Sequence, residues 1–375
     1  MESVKIVHCA DLHIGAQNSA LGERADSRRA EYLLTFERII ELCRKNGTDI
    51  LLIAGDLFDT AAVDKPTADR VFELISSIPE TVVAISAGNH DPLTADSPYK
   101  TCRLPDNLHV FGDKMGVIEL PGKNTKVYGI SFVSGEFSSR LKIGGANDES
   151  INILLMHADL DADVNSRYNP VQRSVLSDSG MDYVALGHIH KRTEILNGNG
   201  VCFAYSGCAE PSGFDELGEK GVYAGTVSKG GVDLEFVPLS YRRFEEIETD
   251  VTNLSSSAEI VDKTLCILKE KFGENYSKNF YKIILTGNTD EPFVPDLQYI
   301  RTNLADKVYY AKVKSKAGFN IDYETLSREF TLKGIFTRRM LEKINAAEES
   351  DKARLENALR LGLCAFDTEV KPYEA

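Results

Sequence analysis

ILLIAGDLFDT, residues 50–60, holds five apolar residues without a polar break and then turns at Gly55 onto two carboxylates, Asp56 and Asp59. A run of that length closed by glycine predicts a strand buried on both faces. The same form recurs on either side. Lys5–Ala10 (KIVHCA) runs into Asp11-Leu12-His13, and Val82–Ser86 runs into Gly88-Asn89-His90-Asp91. Helical patterns lie between them. Ser27–Lys45 carries Leu33, Phe36, Ile40 and Cys43 at helical spacing and stops at Asn46-Gly47. Asp64 is placed to cap a helix bearing Val71, Leu74 and Ile75. Strand–helix–strand at this spacing predicts βαβ units, with parallel strands covered by helices.

From Asn107 the pattern is mostly β, with a hairpin expected around Pro121–Thr125. Ile151–Met156 and Tyr183–Leu186 read as further buried strands, and residues 201–238 as strands with turns near Gly213, Gly218 and Gly230-Gly231. Two sheets packed face to face with helices outside account for this order. After Arg243 the character changes. An acidic stretch (Glu245, Glu246, Glu248, Asp250) leads into a helix (Ala258–Lys271), a strand (Tyr281–Thr286), a helix (Leu297–Leu304) and a strand (Lys307–Val313). From Tyr323 the chain is helical and charged, with one stripe of Phe336, Met340 and Ile344 and another of Leu355, Ala358, Leu359 and Gly362. The expected architecture is α/β, with domains at 1–243, 244–318 (small, α/β) and 319–375 (helical).

The composition narrows the function. At 375 residues, 42% hydrophobic and 27% charged, the chain is globular rather than collagenous or disordered. No apolar run reaches the length of a membrane span, and MESVKIVHCADLH does not read as a signal peptide. Seven scattered cysteines with no CxxC pair argue against a disulfide framework and fit a reducing cytoplasm. A net charge of −14 counts against a dedicated role in coating nucleic acid by bulk electrostatics. It leaves room for an enzyme whose bound cations reverse the local potential.

Five short blocks sit where apolar runs end: Asp11-Leu12-His13, Gly55-Asp56, Gly88-Asn89-His90-Asp91, Met156-His157 and Gly187-His188-Ile189-His190. In parallel sheets ligands bind beyond the carboxyl ends of strands, so the blocks are able to converge. Their donors are two carboxylates, one amide oxygen and four imidazoles: Asp11, Asp56, Asn89, His13, His157, His188 and His190. Mixed oxygen and nitrogen donors without cysteine favour manganese or iron, with zinc acceptable. Asp56 is the natural bridge between two ions. Two divalent ions bring about +4 and two aspartates cancel about half, so the set suits an anionic substrate. His90, next to Asn89, falls to the substrate side as a donor to the phosphoryl group or leaving oxygen. Asp59 is expected to accept the other ring proton of His90. His8 and His109 match no block and read as scaffold.

DLH, GDLFD, GNHD, His157 and GHIH resemble the calcineurin-like metallophosphoesterase signature. The longer phrases ADLHIG, LLIAGDLFDT, SAGNHDP and YVALGHIHKR resemble the SbcD-type DNA repair exonucleases and most closely their YhaO-like branch, to which TRRMLEKI and ENALRLGL in the tail are also similar. The resemblance implies an α-β-β-α sandwich with a capping domain and two manganese ions. Asp11, His13, Asp56 and His190 would hold one ion; Asp56, Asn89, His157 and His188 the other; His90 would be the catalytic histidine outside the metal shell. It also implies hydrolysis of DNA phosphodiesters, as 3′-to-5′ exonuclease and single-strand endonuclease, beside an SMC-like ATPase of the YhaN/SbcC type bound through the C-terminal helices, and it allows a homodimer. Alternatives are a phosphatase or cyclic-nucleotide phosphodiesterase of the same fold, or a scaffold subunit with a vestigial site. The chain departs from the family pattern at Asp59 and in YSGCAEPSGFDE after GHIH. Weaker candidates for DNA contact are Lys191 and Arg192 at the rim, and Arg167 and Tyr168 in the loop after His157.

Overall fold

Apolar runs with β-branched residues and no room for a polar face form the central strands. The computed structural model describes residues 2–120, 122–137, 149–163, 165–290, 293–320 and 322–367. Its first sheet begins with β1 (Ser3–Cys9). Helix α1 (Ala25–Asn46) follows and stops where Gly47 takes a left-handed φ of +57° and returns its amide to Cys43 and Arg44. Next comes β2 (Ile50–Ile53), buried at all four positions. Helix α2 (Lys65–Ser76) is capped by Asp64, whose side chain accepts the Thr67 amide at 3.0 Å. Then come β3 (Val82–Ile85), the single turn α3 (Pro98–Thr101) and β4 (Leu108–Val110). Strands β1 to β4 are mutually parallel.

The second sheet takes β5 (Gly116–Leu120) and β6 (Thr125–Ile130), antiparallel with Leu120 opposite Thr125. This is the expected hairpin; Pro121 lies outside the described residues. Then follow β7 (Ile151–His157), the short pair β8 (Asp159–Leu160) and β9 (Pro170–Val171), α4 (Arg173–Ser177), β10 (Tyr183–Gly187), β11 (Leu196–Gly198) and β12 (Val201–Tyr205). The hairpin β13 (Gly221–Ser228) and β14 (Gly231–Pro238) returns to the first sheet. The orders are β14-β13-β1-β2-β3-β4 and β11-β12-β10-β7-β6-β5.

Three apolar layers hold this part together. Ile6, Ile50 and Leu52 meet Ile153, Leu155 and Tyr183 between the sheets. Phe36, Ile39, Val71 and Ile75 of α1 and α2 cover Val7, Leu51 and Ile53. Leu176 of α4 covers Leu154, Met156 and Val184. The fold is therefore an α/β two-sheet sandwich flanked by helices, as the sequence predicts. The described cysteines are free thiols.

By its contacts the chain divides into two compact units, Met1–Glu246 with Lys278–Phe280, and the remainder. Apart from Lys278–Phe280, residues from Ile247 onward, which include most of 244–318 and all of 319–375, fall in the second. That unit carries most of a sheet of β15 (Phe244–Asp250), β16 (Phe280–Thr286) and β18 (Tyr310–Ser315), a short parallel pair β17 (Asn288–Asp290) and β19 (Gly318–Asn320), and helices α5 (Ser257–Phe272) and α6 (Leu297–Ala305). Ile260 and Leu268 of α5 and Ile300 and Leu304 of α6 cover Ile247, Tyr281 and Ile283. The strand expected from Lys307 begins instead at Tyr310. The amides of Lys307 and Val308 both return to the Leu304 carbonyl, which closes α6 with an extra turn.

Helices α7 (Tyr323–Ser327), α8 (Leu332–Ala346) and α9 (Glu349–Asp367) complete the unit. The two expected stripes meet: Ile344, Leu359 and Leu363 are buried with Phe336 and Met340. Gly362 is required there, because a Cβ would lie 2.3 Å from the Phe336 ring. Among the described residues no helix is long and apolar enough to cross a membrane.

His8 is a polar joint between the sheets, as its scaffold reading expects. Its Nε2 donates to the Leu186 carbonyl (3.2 Å) and its Nδ1 accepts the Tyr183 hydroxyl (2.8 Å). Burial pushes its pKa down to about 3 against the pull of Leu186. Because the folded value lies below the unfolded one, the unfolded chain binds the extra proton in between. The His8 contribution is therefore present above about pH 6.5 and is lost as pH falls toward 3, at up to about 1.4 kcal/mol per pH unit. Urea unfolding of metal-stripped protein from pH 7 to 4 should show a flatter pH slope in His8→Gln than in the wild type. Equal slopes would contradict this role.

Candidate metal centre

The strand ends deliver their ligands through strained turns. Asp11 (φ 51°), His13 (φ 47°), Asp56 (φ 50°) and His188 (φ 103°) all hold left-handed backbone. Such conformations cost about 1–3 kcal/mol each and cluster where geometry serves function. The turns are knitted by backbone bonds, Asp11 N–H to Gly55 (3.1 Å) and His13 N–H to Asp56 (3.0 Å). Two glycines make room. A Cβ on Gly88 would fall 2.1 Å from Asp56 Oδ1, and one on Gly187 would fall 1.8 Å from the Ala54 carbonyl oxygen. Beneath them Asp91, fully buried, accepts the amides of Gly88 (2.8 Å), Leu57 (2.9 Å), Asp56 (3.2 Å) and Phe58 (3.3 Å) and the Tyr99 hydroxyl (2.6 Å).

All seven expected donors come together. His13 Nε2 and His190 Nε2 face each other at 3.2 Å, and His13 Nε2 lies 3.9 Å from Asp56 Oδ2. On the other side His157 Nε2 is 3.4 Å from Asp56 Oδ2 and 3.0 Å from Asn89 Oδ1. His188 Nδ1 reaches the same Asn89 oxygen at 3.2 Å, and the His188 amide donates to Asp11 Oδ1 at 3.1 Å. Ligand atoms of Asp11, His13 and His190, and separately of Asp11, Asp56 and His157, lie within 4.8 Å of one another. Imidazole nitrogens and carboxylate oxygens aimed at a common point repel one another unless a cation or proton lies between them. This donor set fits divalent metal on both sides of Asp56.

The charges are unevenly spread. Burial disfavours a charged His13, but its bond to Asp59 and the nearby Asp56 and Asp11 prevail and hold it up at about 9. His188 goes the other way, to about 4, through burial and the His157 ring. Burial also opposes charge on Asp56, yet His157, His13 and the His90 amide keep its carboxyl below the usual range. Burial lifts Asp11 and Asp91, the latter with help from the Asp56 charge.

His90 stands beside the cluster with its side chain 45% exposed. Its ring is edge-on to His13 at 4.7 Å, on a cavity of about 200 Å³ that Tyr32, His190 and Ser212 also line. The Asp59 carboxylate lies elsewhere than expected. It bonds His13 Nδ1 at 3.1 Å and is 3.9 Å from His90 Nδ1, which instead donates to the Asp59 backbone carbonyl at 3.0 Å. The left-handed turn at His13 and its backbone bond to Asp56 bring the His13 ring to the carboxylate first.

The weaker candidates separate. Tyr168 is 40% exposed with its ring 5.0 Å from that of His188, and Lys191 is exposed. Arg192 lies over the Phe236 ring and bonds Tyr223, and Arg167 pairs with Glu136 at 2.6 Å. Sequence reasoning missed Asp91, although it stands in the GNHD block, because nothing local tells a buried acceptor from a loop aspartate. It also missed Glu216, the last residue of the YSGCAEPSGFDE segment, to which no role was given and which bonds His190 Nδ1.

The calcineurin-like phosphoesterase family profile matches residues 4–192, half of the chain, and the chain belongs to this family of metal-dependent phosphoester hydrolases. It is similar to the uncharacterized metallophosphoesterase YhaO of Bacillus subtilis, with 27% identity over 288 residues, 72% of this chain and 70% of that protein. It is also similar to the DNA double-strand break repair protein Mre11 of Aeropyrum pernix, at 25% identity over 70% of this chain and 67% of that one. The Mre11 of Methanopyrus kandleri is 26% identical over 64% of this chain and 58% of its own length.

Gly187→Ala tests the closure of the centre. The added methyl should cost about 1–3 kcal/mol by overpacking and lower bound metal measured by elemental analysis. Gly112→Ala, where a Cβ meets nothing within 4 Å, should stay within about 0.5 kcal/mol of wild type.

Proposed function

We propose that the chain is a two-metal, manganese-dependent nuclease that hydrolyses DNA phosphodiester bonds, as a 3′-to-5′ exonuclease and single-strand endonuclease in DNA repair. What supports this is that Asp11, His13, Asp56, Asn89, His157, His188 and His190 lie close together, with His13 3.9 Å and His157 3.4 Å from Asp56 Oδ2. Asp11, His13, Asp56 and His190 would hold one ion, and Asp56, Asn89, His157 and His188 the other. When bound, the ions supply Lewis-acid stabilisation of charge on the phosphoryl oxygens and make water a competent nucleophile at neutral pH. Two ligating carboxylates against two divalent ions would leave a positive site that draws a phosphodiester.

The remaining steps belong to side chains. His90 donates its Nδ1 proton to the Asp59 carbonyl, so its Nε2 is turned to the substrate side. There it stabilises the phosphoryl oxygens or gives a proton to the leaving oxygen. Asp59 acts on His13, holding Nδ1 so that Nε2 is left free to bind an ion there. Tyr168 beside His188 offers a ring to a nucleotide, and Lys191 a rim charge for a phosphate. DNA is favoured over a small substrate by the likeness to proteins named for double-strand break repair.

The same reading gives α8 and α9 to an SMC-like ATPase. Their mutual packing leaves Leu332 and Leu361 exposed, with exposed Phe330 just before α8, which suits a coiled-coil partner.

Purified protein with manganese should cleave labelled single- and double-stranded DNA and bis-p-nitrophenyl phosphate. His90→Ala should lower turnover by about 10²–10⁴-fold with metal content unchanged. Cleavage of cyclic nucleotides without DNA would transfer the reading to a phosphodiesterase, and absence of bound metal would leave a scaffold. Leu332→Glu combined with Phe330→Glu should abolish capture of the ATPase while sparing cleavage of bis-p-nitrophenyl phosphate. Retained capture would remove the helices from the interface.

A further inference from the structure

We propose that Glu216 is a positioning residue of the metal centre, fixing the ring of His190 and through it one of the two ions; this rests on the two-metal reading above. His190 turns Nε2 toward His13 and the cluster, so Nδ1 points away from it. There Nδ1 donates to Glu216 Oε1. An imidazole held by a carboxylate at one nitrogen has its tautomer set, and the lone pair of the other nitrogen is aimed at the ion and made more basic. Glu216 is itself held. Its Oε2 accepts the Ser212 amide (2.5 Å) and hydroxyl (3.0 Å), and the residue is buried.

The segment that carries Glu216 runs in backbone contact with the His188–His190 turn. Gly207 (φ +72°) has the His190 carbonyl oxygen 2.8 Å from where a Cβ would stand, and the Cys208 amide bonds that oxygen at 3.1 Å. Glu210, on the same segment, is buried against Arg28 of α1 (2.5 Å) and Thr35 (2.6 Å) and takes the Tyr241 amide (2.5 Å). Glu216 is therefore held by Ser212, on a segment that Cys208 ties to the His190 carbonyl and Glu210 ties to α1.

The arrangement makes the two ion positions unlike. His13 is backed by Asp59 and His190 by Glu216, both carboxylates. On the other side His157 is backed by the Ala54 peptide carbonyl at 2.9 Å, and among the described residues no carboxylate bonds the His188 ring. Loss of the Glu216 charge should thus be felt by one ion and not by the other.

The test uses the metal-stripped 375-residue chain titrated with manganese, followed by calorimetry and by the electron paramagnetic resonance of free Mn²⁺, with thermal melting in chelator as a control. Wild type should bind two ions. Glu216→Gln, which keeps the shape and removes the charge, should weaken one ion about 10–100-fold and leave the other as in wild type, with melting in chelator unchanged. Glu216→Asp, which keeps the charge, should recover part of the loss. Ser212→Ala, which loosens the carboxylate, should give a smaller loss at the same ion. Wild-type affinity for both ions in Glu216→Gln, or equal weakening of both together with a lower melting point in chelator, overturns the proposal. If Glu216→Gln does not fold, unchanged binding in Ser212→Ala overturns it. Absence of manganese binding by the wild type itself would instead overturn the two-metal reading.

Discussion

The separation of the two sheets at their carboxyl ends governs everything at the centre, and one carbonyl sets it. The Ala54 oxygen at the end of β2 lies against Gly187 of the facing sheet so closely that no side chain fits between them, and it also accepts His157 Nδ1 from β7. The contact brings the turn after β10, with His188 and His190, over the turn after β2, with Asp56. A sandwich opened there by one methyl group would still bury its apolar layers but would part the ligands. The site is therefore a property of the joint between sheets more than of either sheet.

The polar groups required at that joint are satisfied in different ways according to their depth. Asp91, beneath the ligands, takes four backbone amides and one phenol, and so turns the strained loops after β2 and β3 into one rigid floor. His8, deeper between the sheets, stays neutral with one bond given and one received. Closer to the surface the imidazoles lean on carboxylates, His13 on Asp59 and His190 on Glu216. A low dielectric makes each unsatisfied group costly, so the bonds to these buried rings and carboxylates count for more than they would in water. These bonds fix the direction of the candidate donor rings, and fixed direction is what preorganisation requires.

In the second unit the stretch that is acidic in sequence forms β15, whose exposed Glu248 and Asp250 alternate with buried Ile247 and Thr249. The charged tail resolves in the same way. Narrow apolar stripes suffice because α8 and α9 cover each other, with Gly362 allowing the approach of Phe336.

The periodicity of apolar residues determined that β1, β2, β3, β7 and β10 would be buried strands, and the blocks at their ends declared the donors, because strand burial and donor chemistry are written in neighbouring residues. Capping by Asp64 and the stop at Gly47 were legible for the same local reason. Tertiary structure alone decided which carboxylate would serve which imidazole. Asp59 went to His13 and not to His90, since the left-handed turn at His13 sets the direction of its ring and no pattern of residue types encodes a direction. Asp91 and Glu216 were hidden for a related reason. An acceptor buried under a loop or behind a ring, 26 residues along the chain in the case of Glu216 and His190, has the same local sequence as one in water, and only the packing of distant segments removes the water and makes its bonds count.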